Sequence, residues 1–482
     1  MLRGSSSLLQ RFPKLPKGRL LLRSFATIDD EQQQEDESKQ SNIEHNSEPT
    51  TSEDQLPINF SDISRASLAI KASCKRSYFL SELCGMNVYL KKELDQFTGS
   101  FKERGARNTL ILLKRQWEES GIFNYPGVTA ASAGNHALAL SYHGRELGIP
   151  VTVVMPVVAP LAKVDKCRQF GANVVIHGAH IGESKLHSEE LCAEQGLTYV
   201  NGYDDPPIMA GAGTIGIEIC DQVPDLDAVI VPVGGAGLIG GVSCAVKTLM
   251  PDCKVFGVEP YFSASYTAAL AANKPVETLI EPTLADGLAV PKVGSHAFQM
   301  ARHYVDDTFL TTEREIAIAC LRLIENEKLV VEGGGAIGLT PILPGGPMDT
   351  PEWKGKNVVV PICGGNIDTT TLGRVIDRGL AADQRLVRFV ATVSDRPGGI
   401  ARLTSLLSAE EASVKDIYHE RSWLQSSVSN VQMRCVLELR GREHAQRVKE
   451  ALAREGYPTK WDDTEDPLNS GDIKGTECLP VV

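Results

Sequence analysis

The sequence predicts an α/β protein built on parallel sheets, followed by a small α+β module. Three observations predict it. Apolar segments such as Val151–Met155 run without polar alternation, as strands buried on both faces must. Glycine-rich loops follow several of these segments, where open α/β sheets place their binding sites. After Gly379–Asp383 the composition changes and the element order becomes βαββαβ, the ferredoxin-like pattern.

The elements follow in chain order. Residues 1–28 hold Arg3, Arg11, Lys14, Lys17, Arg19 and Arg23 and no acid, with serines and leucines between them. That is the composition of a mitochondrial transit peptide, and Arg23-Ser24-Phe25-Ala26 resembles a matrix-protease cleavage context, so the mitochondrial matrix is the expected location. Residues 29–56 turn acidic and rich in Gln, Ser and Thr; they offer too little apolar surface to fold and read as a linker. From 57 to 380 strands alternate with helices. Strands are expected at 127–131, 151–155, 173–177, 228–233, 254–259 and 358–362, and helices following His136 through Gly148 and at 159–170. The second module, 386–462, reads as a strand at 388–393, a helix at 400–407, strands at 413–420 and 431–439, a helix at 442–455 and a strand near 457–461. Residues 463–482 are a polar tail.

With 482 residues the chain can form two or three domains. No apolar run approaches the roughly 18 residues a membrane span needs. Eleven cysteines lie scattered with no CxxC pair, a pattern of reduced intracellular thiols rather than of a disulfide framework or a zinc site. Taking the six basic residues of the first segment from the chain's 49 leaves 43 against 61 acidic residues. A surface of that sign argues against nucleic-acid binding.

Two motifs carry chemistry on their own terms. Thr98-Gly99-Ser100-Phe101-Lys102 sets one lysine between a Gly-Ser turn and the expected start of a helix. A lysine desolvated by small residues and an aromatic ring has a lowered pKa and a nucleophilic amine, able to form a Schiff base with an aldehyde. Gly234-Gly235-Ala236-Gly237-Leu238-Ile239-Gly240 follows a strand and opens a helix, an arrangement whose amides hold a phosphate. The same stretch satisfies G-x-G-x-x-G, and Glu259 ends the next strand where a nicotinamide enzyme binds ribose, so a dehydrogenase competes at this point. Gly333–Gly338 matches that pattern too, without the strand-to-acid arrangement.

The stretch from Thr98 to Ala106 closely resembles the cofactor-lysine motif of the threonine and serine dehydratases, pyridoxal-phosphate enzymes of the tryptophan-synthase-β-like fold. The resemblance spans about residues 57–380 and implies two parallel-sheet subdomains. It implies that Lys102 carries pyridoxal 5'-phosphate and acts as the catalytic base, with Phe101 beside it. Ser132-Ala133-Gly134-Asn135-His136 resembles the family's second motif, implying that this loop holds the substrate carboxylate and that Asn135 bonds the cofactor's phenolic oxygen. Gly234, Gly235, Ala236, Gly237 and Leu238 stand at the phosphate loop, where relatives usually have four glycines; the Ala236 methyl is expected to narrow the phosphate's approach. Gly287, within Asp286–Val290, is expected against the cofactor, and Cys363 at the pyridine nitrogen. Serine racemases resemble the chain throughout but place a serine at position 133 as a second proton donor; Ala133 favours elimination over racemisation.

The resemblance therefore implies deamination of L-threonine to 2-oxobutyrate and ammonia, and of L-serine to pyruvate, with serine racemase as the alternative. Some relatives bind a divalent ion through a glutamate and an aspartate. Glu259 matches the former, but Ser263 and Ser265 stand where a carbonyl donor and the aspartate are expected, so no metal ligand is assigned. Asp395-Arg396-Pro397-Gly398-Gly399-Ile400 resembles the ACT domain, implying an amino-acid effector such as isoleucine or valine and a homo-oligomer, dimer or tetramer.

Overall fold

The computed structural model describes residues 56–67, 70–421 and 429–462. The expected transit peptide, nearly all of the linker and the C-terminal tail lie outside them. Among the described residues fourteen strands form three sheets. They are β1 (Cys74–Arg76), β2 (Asn87–Lys92), β3 (Val128–Ala131), β4 (Val151–Met155), β5 (Asn173–Ile176), β6 (Thr198–Tyr199), β7 (Ala228–Pro232), β8 (Lys254–Pro260), β9 (Asp307–Thr311), β10 (Asn357–Ile362), β11 (Leu386–Ser394), β12 (Ser413–Glu420), β13 (Asn430–Glu438) and β14 (Thr459–Trp461).

The largest sheet has the order β1-β2-β10-β7-β8-β9. All its pairings are parallel except β1 with β2. The second, β5-β4-β3-β6, is parallel throughout. The uninterrupted apolar runs predicted this burial: Val229, Ile230 and Val231 of β7, and Val358, Val359 and Val360 of β10, are all 0% exposed. Burying each such side chain contributes about 1.5–3 kcal/mol. Helices cover both sheets, as parallel sheets demand.

Topology brings the two sheets to one cleft. The chain leaves the large sheet after β2, builds the four-stranded sheet, and returns at β7. Four of the segments that carry the candidate site residues then follow the carboxyl ends of parallel strands: 98–102 after β2, 132–136 after β3, 234–238 after β7 and the stretch from Cys363 after β10.

The C-terminal sheet has the order β12-β13-β11-β14, antiparallel throughout. Helices Gly399–Ala409 and Arg442–Arg454 complete the βαββαβ order. Phe389, Leu403, Cys435 and Val448 form its core. Element boundaries differ from the sequence expectation by one or two residues. The short strands β1, β6 and β9 and the long Pro206–Gln222 helix carry no comparably clear sequence signal.

Candidate active site

Lys102 is the first residue of an 18-residue helix, Lys102–Glu119. Its Nζ donates to the Gly202 carbonyl at 2.6 Å and lies 5.1 Å from the Phe101 ring centroid. The residue as a whole keeps partial solvent exposure, while its amine has buried surroundings. Burial pulls the amine down to about 8, with Cys363 and then Glu332 acting in the opposite sense. A sizeable unprotonated fraction near neutral pH makes this lysine a nucleophile and a base.

The start of this helix is pinned on both sides. Arg104 Nε donates to Glu93 Oε2 at 2.7 Å and Nη1 to Glu218 Oε1 at 2.7 Å, with second contacts at 2.8 and 2.9 Å. Glu93 follows β2 and Glu218 sits on the Pro206–Gln222 helix, so one guanidinium ties three elements together. Lys91 Nζ adds a bond to Glu218 at 2.5 Å. Glu103 accepts from the Thr98 amide and faces His143 Nε2 at 3.0 Å. Bidentate charge-assisted bonds of this kind fix geometry as well as adding energy.

Opposite Lys102, the Ser132–His136 loop opens the Asn135–Leu147 helix. Asn135 Nδ2 donates to Glu332 Oε1 at 2.6 Å, and its Oδ1 accepts from Asn366 Nδ2 at 2.9 Å. Asn366 also donates to the Thr98 carbonyl, 2.6 Å away, which joins three separate loops. His136 faces the Val200 carbonyl through Nε2 at 3.1 Å, leaving Nδ1 buried without a partner among the described residues. Burial, then the nearby Lys102 charge, push its pKa down to about 3, so the ring is neutral. The Ser132 hydroxyl accepts from the Gly134 amide at 3.3 Å.

The loop after β7 forms the third wall. The Gly237–Leu249 helix begins here, and the first amide in the region to bond backbone is Gly240, to the Ala236 carbonyl. The amides of Gly235, Ala236, Gly237 and Leu238 have no backbone acceptor among the described residues. Together with the positive helix end they form an anion cradle. A Cβ on Gly235 would lie 2.3 Å from the Tyr203 ring, and one on Gly237 2.0 Å from the Tyr203 carbonyl oxygen. Ala236 adopts φ 68° and is 2% exposed, so its side chain sits on a left-handed backbone that costs roughly 1–2 kcal/mol relative to glycine.

Cys363 immediately follows β10, and its carbonyl accepts from the Phe101 amide at 3.0 Å, placing it beside the lysine. Burial, followed by Glu93 and Glu332, pushes its thiol well above the usual range, so it is neutral. Gly287 lies in the short Asp286–Leu288 turn; its neighbour Leu288 approaches Gly234 closely, within reach of a Gly234 Cβ at 3.1 Å.

Sequence reading passed over Gly202, Tyr203 and Glu332, and gave Asn366, at the end of the Pro361–Asn366 motif, no role of its own. Glu332 immediately precedes the Gly333–Ala336 helical turn, and burial, then Asp286, push its carboxyl up to about 7. In sequence the glycines of 333–335 carry only a weak nucleotide-binding match. Glu259, weighed for ribose or metal, is 0% exposed and accepts from the Tyr266 and Thr267 amides at 2.7 and 2.8 Å, capping the Ser265–Ala272 helix. That engagement removes it from any ribose-binding role.

Residues 69–364 match the family model described as pyridoxal-phosphate dependent enzyme. The chain is 38% identical over 408 residues to an L-threonine ammonia-lyase of Thermotoga maritima, covering 84% of this chain and 99% of that protein. Its structure resembles the processed form of threonine deaminase isoform 2 from Solanum lycopersicum, with a TM-score of 0.61, 34% identity, and coverage of 66% and 91% of the two chains. Maize serine racemase has a TM-score of 0.62 at 28% identity, covering 68% of this chain and 99% of that one.

Proposed function

The chain belongs to the pyridoxal-phosphate-dependent enzyme family, and on that premise we propose that it is an L-threonine ammonia-lyase, releasing 2-oxobutyrate and ammonia by β-elimination of water. L-Serine is the second proposed substrate, giving pyruvate. One observation carries the reading: the Lys102 amine, lowered to about 8, shares a cleft with the amides of 235–238, which have no backbone acceptor among the described residues. Relatives bearing the same activity by name, at 38% identity over most of the chain, support it.

The residues fit the cofactor. The amides at the start of the Gly237–Leu249 helix suit a phosphate, Lys102 suits an aldehyde, and the neutral Cys363 thiol suits a ring nitrogen that is not held protonated. When bound, pyridoxal phosphate supplies an electron sink for the bond breaking at Cα. The protein does the rest. Ser132 and the amides of Ala133–His136 bind and orient the substrate carboxylate. Asn135, held by Glu332 and Asn366, fixes the plane of the reacting group. Lys102 Nζ takes the Cα proton as general base. Neutral His136 adds no positive charge beside it.

Ala133 separates this reading from racemisation, since alanine has no proton to deliver to the opposite face. Residues 1–28, with six basic side chains and no acid, are proposed to direct the protein to the mitochondrial matrix. The βαββαβ module is proposed to be an ACT domain through which an amino acid such as isoleucine or valine acts within a homo-oligomer. The test of the reaction is keto-acid release by purified protein from L-threonine and L-serine, with D-serine measured by chiral chromatography. Steady 2-oxobutyrate release with little D-serine is expected; D-serine as the main product would replace the lyase with a racemase.

A further inference from the structure

A cavity of about 530 Å³ lies where the C-terminal sheet meets the large-sheet region, well inside the range of small-molecule sites. Four arginines line it, Arg314, Arg322, Arg440 and Arg442, against two carboxylates, Glu315 and Asp383. In a chain of net charge −12 this is a local reversal of sign. Arg314, Ile318 and Arg322 recur every four residues on the Glu313–Arg322 helix and so share one face. Leu83, Ile318 and Leu343 add an aliphatic lining.

The cationic groups differ in their commitments. Arg322 is held by Asp383 at 2.6 and 3.0 Å, and Arg440 by Glu411 at 2.7 Å. Arg314 donates to the Ala382 carbonyl at 2.8 Å. Arg442 is exposed and has no ion-pair partner among the described residues. Positioned guanidinium groups bind carboxylate and phosphate with paired, directional bonds.

We propose that this cavity binds a small organic oxyanion, a carboxylate or a phosphate ester, with its charge on Arg442 and its short hydrocarbon body on Leu83, Ile318 and Leu343. Binding here has a route to the reaction. The wall at Leu343–Gly346 continues directly from the buried run Ile337–Ile342, which follows Glu332 in the active site. Any effect on turnover rests on the proposed lyase reading; the binding itself does not.

Calorimetric titration of the full-length, cofactor-loaded protein with isovalerate and, separately, glycerol 3-phosphate tests the site without assaying turnover. Saturable binding of either probe is expected, weakened at least tenfold in Arg442→Glu and less in Arg440→Ala, whose guanidinium is engaged by Glu411. The absorbance of the lysine-bound cofactor should be unchanged in both variants, which shows that they are folded. Isovalerate alone identifies a carboxylate site, and glycerol 3-phosphate alone a phosphate-ester site; either supports the proposal. Failure of both probes to bind, or binding to Arg442→Glu as tight as to the wild type, overturns it. A lack of keto-acid release with intact binding would instead count against the lyase reading alone.

Discussion

Asn135 Nδ2 donates to Glu332 Oε1 across 2.6 Å, coupling the loop after β3 to a carboxyl that lies 197 residues away in sequence. Burial holds that carboxyl at about 7, so its charge, and with it the strength of the bond orienting Asn135, changes near neutral pH. A charge-assisted bond is worth about 1 kcal/mol more than a neutral one. Wild-type kcat should therefore rise several-fold as pH passes through about 7, and Glu332→Gln should abolish that break and stay at the lower level. A pH–rate profile of both proteins checks this.

Arg104 is enclosed between Glu93 and Glu218 with 2% exposure. Removing one partner of a buried ion pair leaves uncompensated charge and costs about 3–5 kcal/mol. Arg104→Ala should lower stability by that amount in urea denaturation. Arg104→Met, of similar length, should be no better, because Glu93 loses its cationic partner and Glu218 keeps only Lys91.

Glu259 is fully buried and raised from 4.5 to about 7, chiefly by burial. Its folded pKa exceeds the unfolded one, so the folded state binds the proton more tightly. The stability this contributes is fully present below about pH 4.5 and is lost as pH rises through about 7. Glu259→Gln should flatten the decline in urea midpoint between about pH 4.5 and 7. The shallower slope that remains should come from Glu332, whose shift has the same sign.

A methyl at Gly237 would meet the Tyr203 carbonyl oxygen at 2.0 Å, and backbone cannot yield as a flexible side chain can. Gly237→Ala should displace the amides that cradle the phosphate. Fluorescence titration of the apoprotein should show pyridoxal phosphate affinity reduced by at least about tenfold, equivalent to about 1.4 kcal/mol. Ala236→Gly, which relieves the backbone at φ 68°, should not weaken it.

Local pattern made much of this legible. Unbroken apolar runs exposed β4, β7, β8 and β10, and the βαββαβ order of the C-terminal module follows from alternating spacing. Lys102, Asn135, Gly234–Leu238 and Cys363 stood out because each lies in a contiguous motif. Glu332, Asn366 and Tyr203 did not. Their importance comes from partners supplied by distant loops: Asn366 meets Asn135 across 231 positions, and Tyr203 matters because two glycines of another loop close on it. Glu259 shows the reverse failure. Its position after a strand suggested a ligand, yet the first turn of the next helix consumes its carboxylate.

Borohydride reduction of the cofactor-loaded protein, followed by peptide mass mapping, tests the central claim most directly. Reduction fixes pyridoxal phosphate on whichever amine carries it. The pyridoxyl group should be found on Lys102, and the same treatment of Lys102→Ala should leave no lysine labelled in stoichiometric amount. Labelling of a different lysine in the wild-type protein, or undiminished labelling of Lys102→Ala, would contradict the assignment.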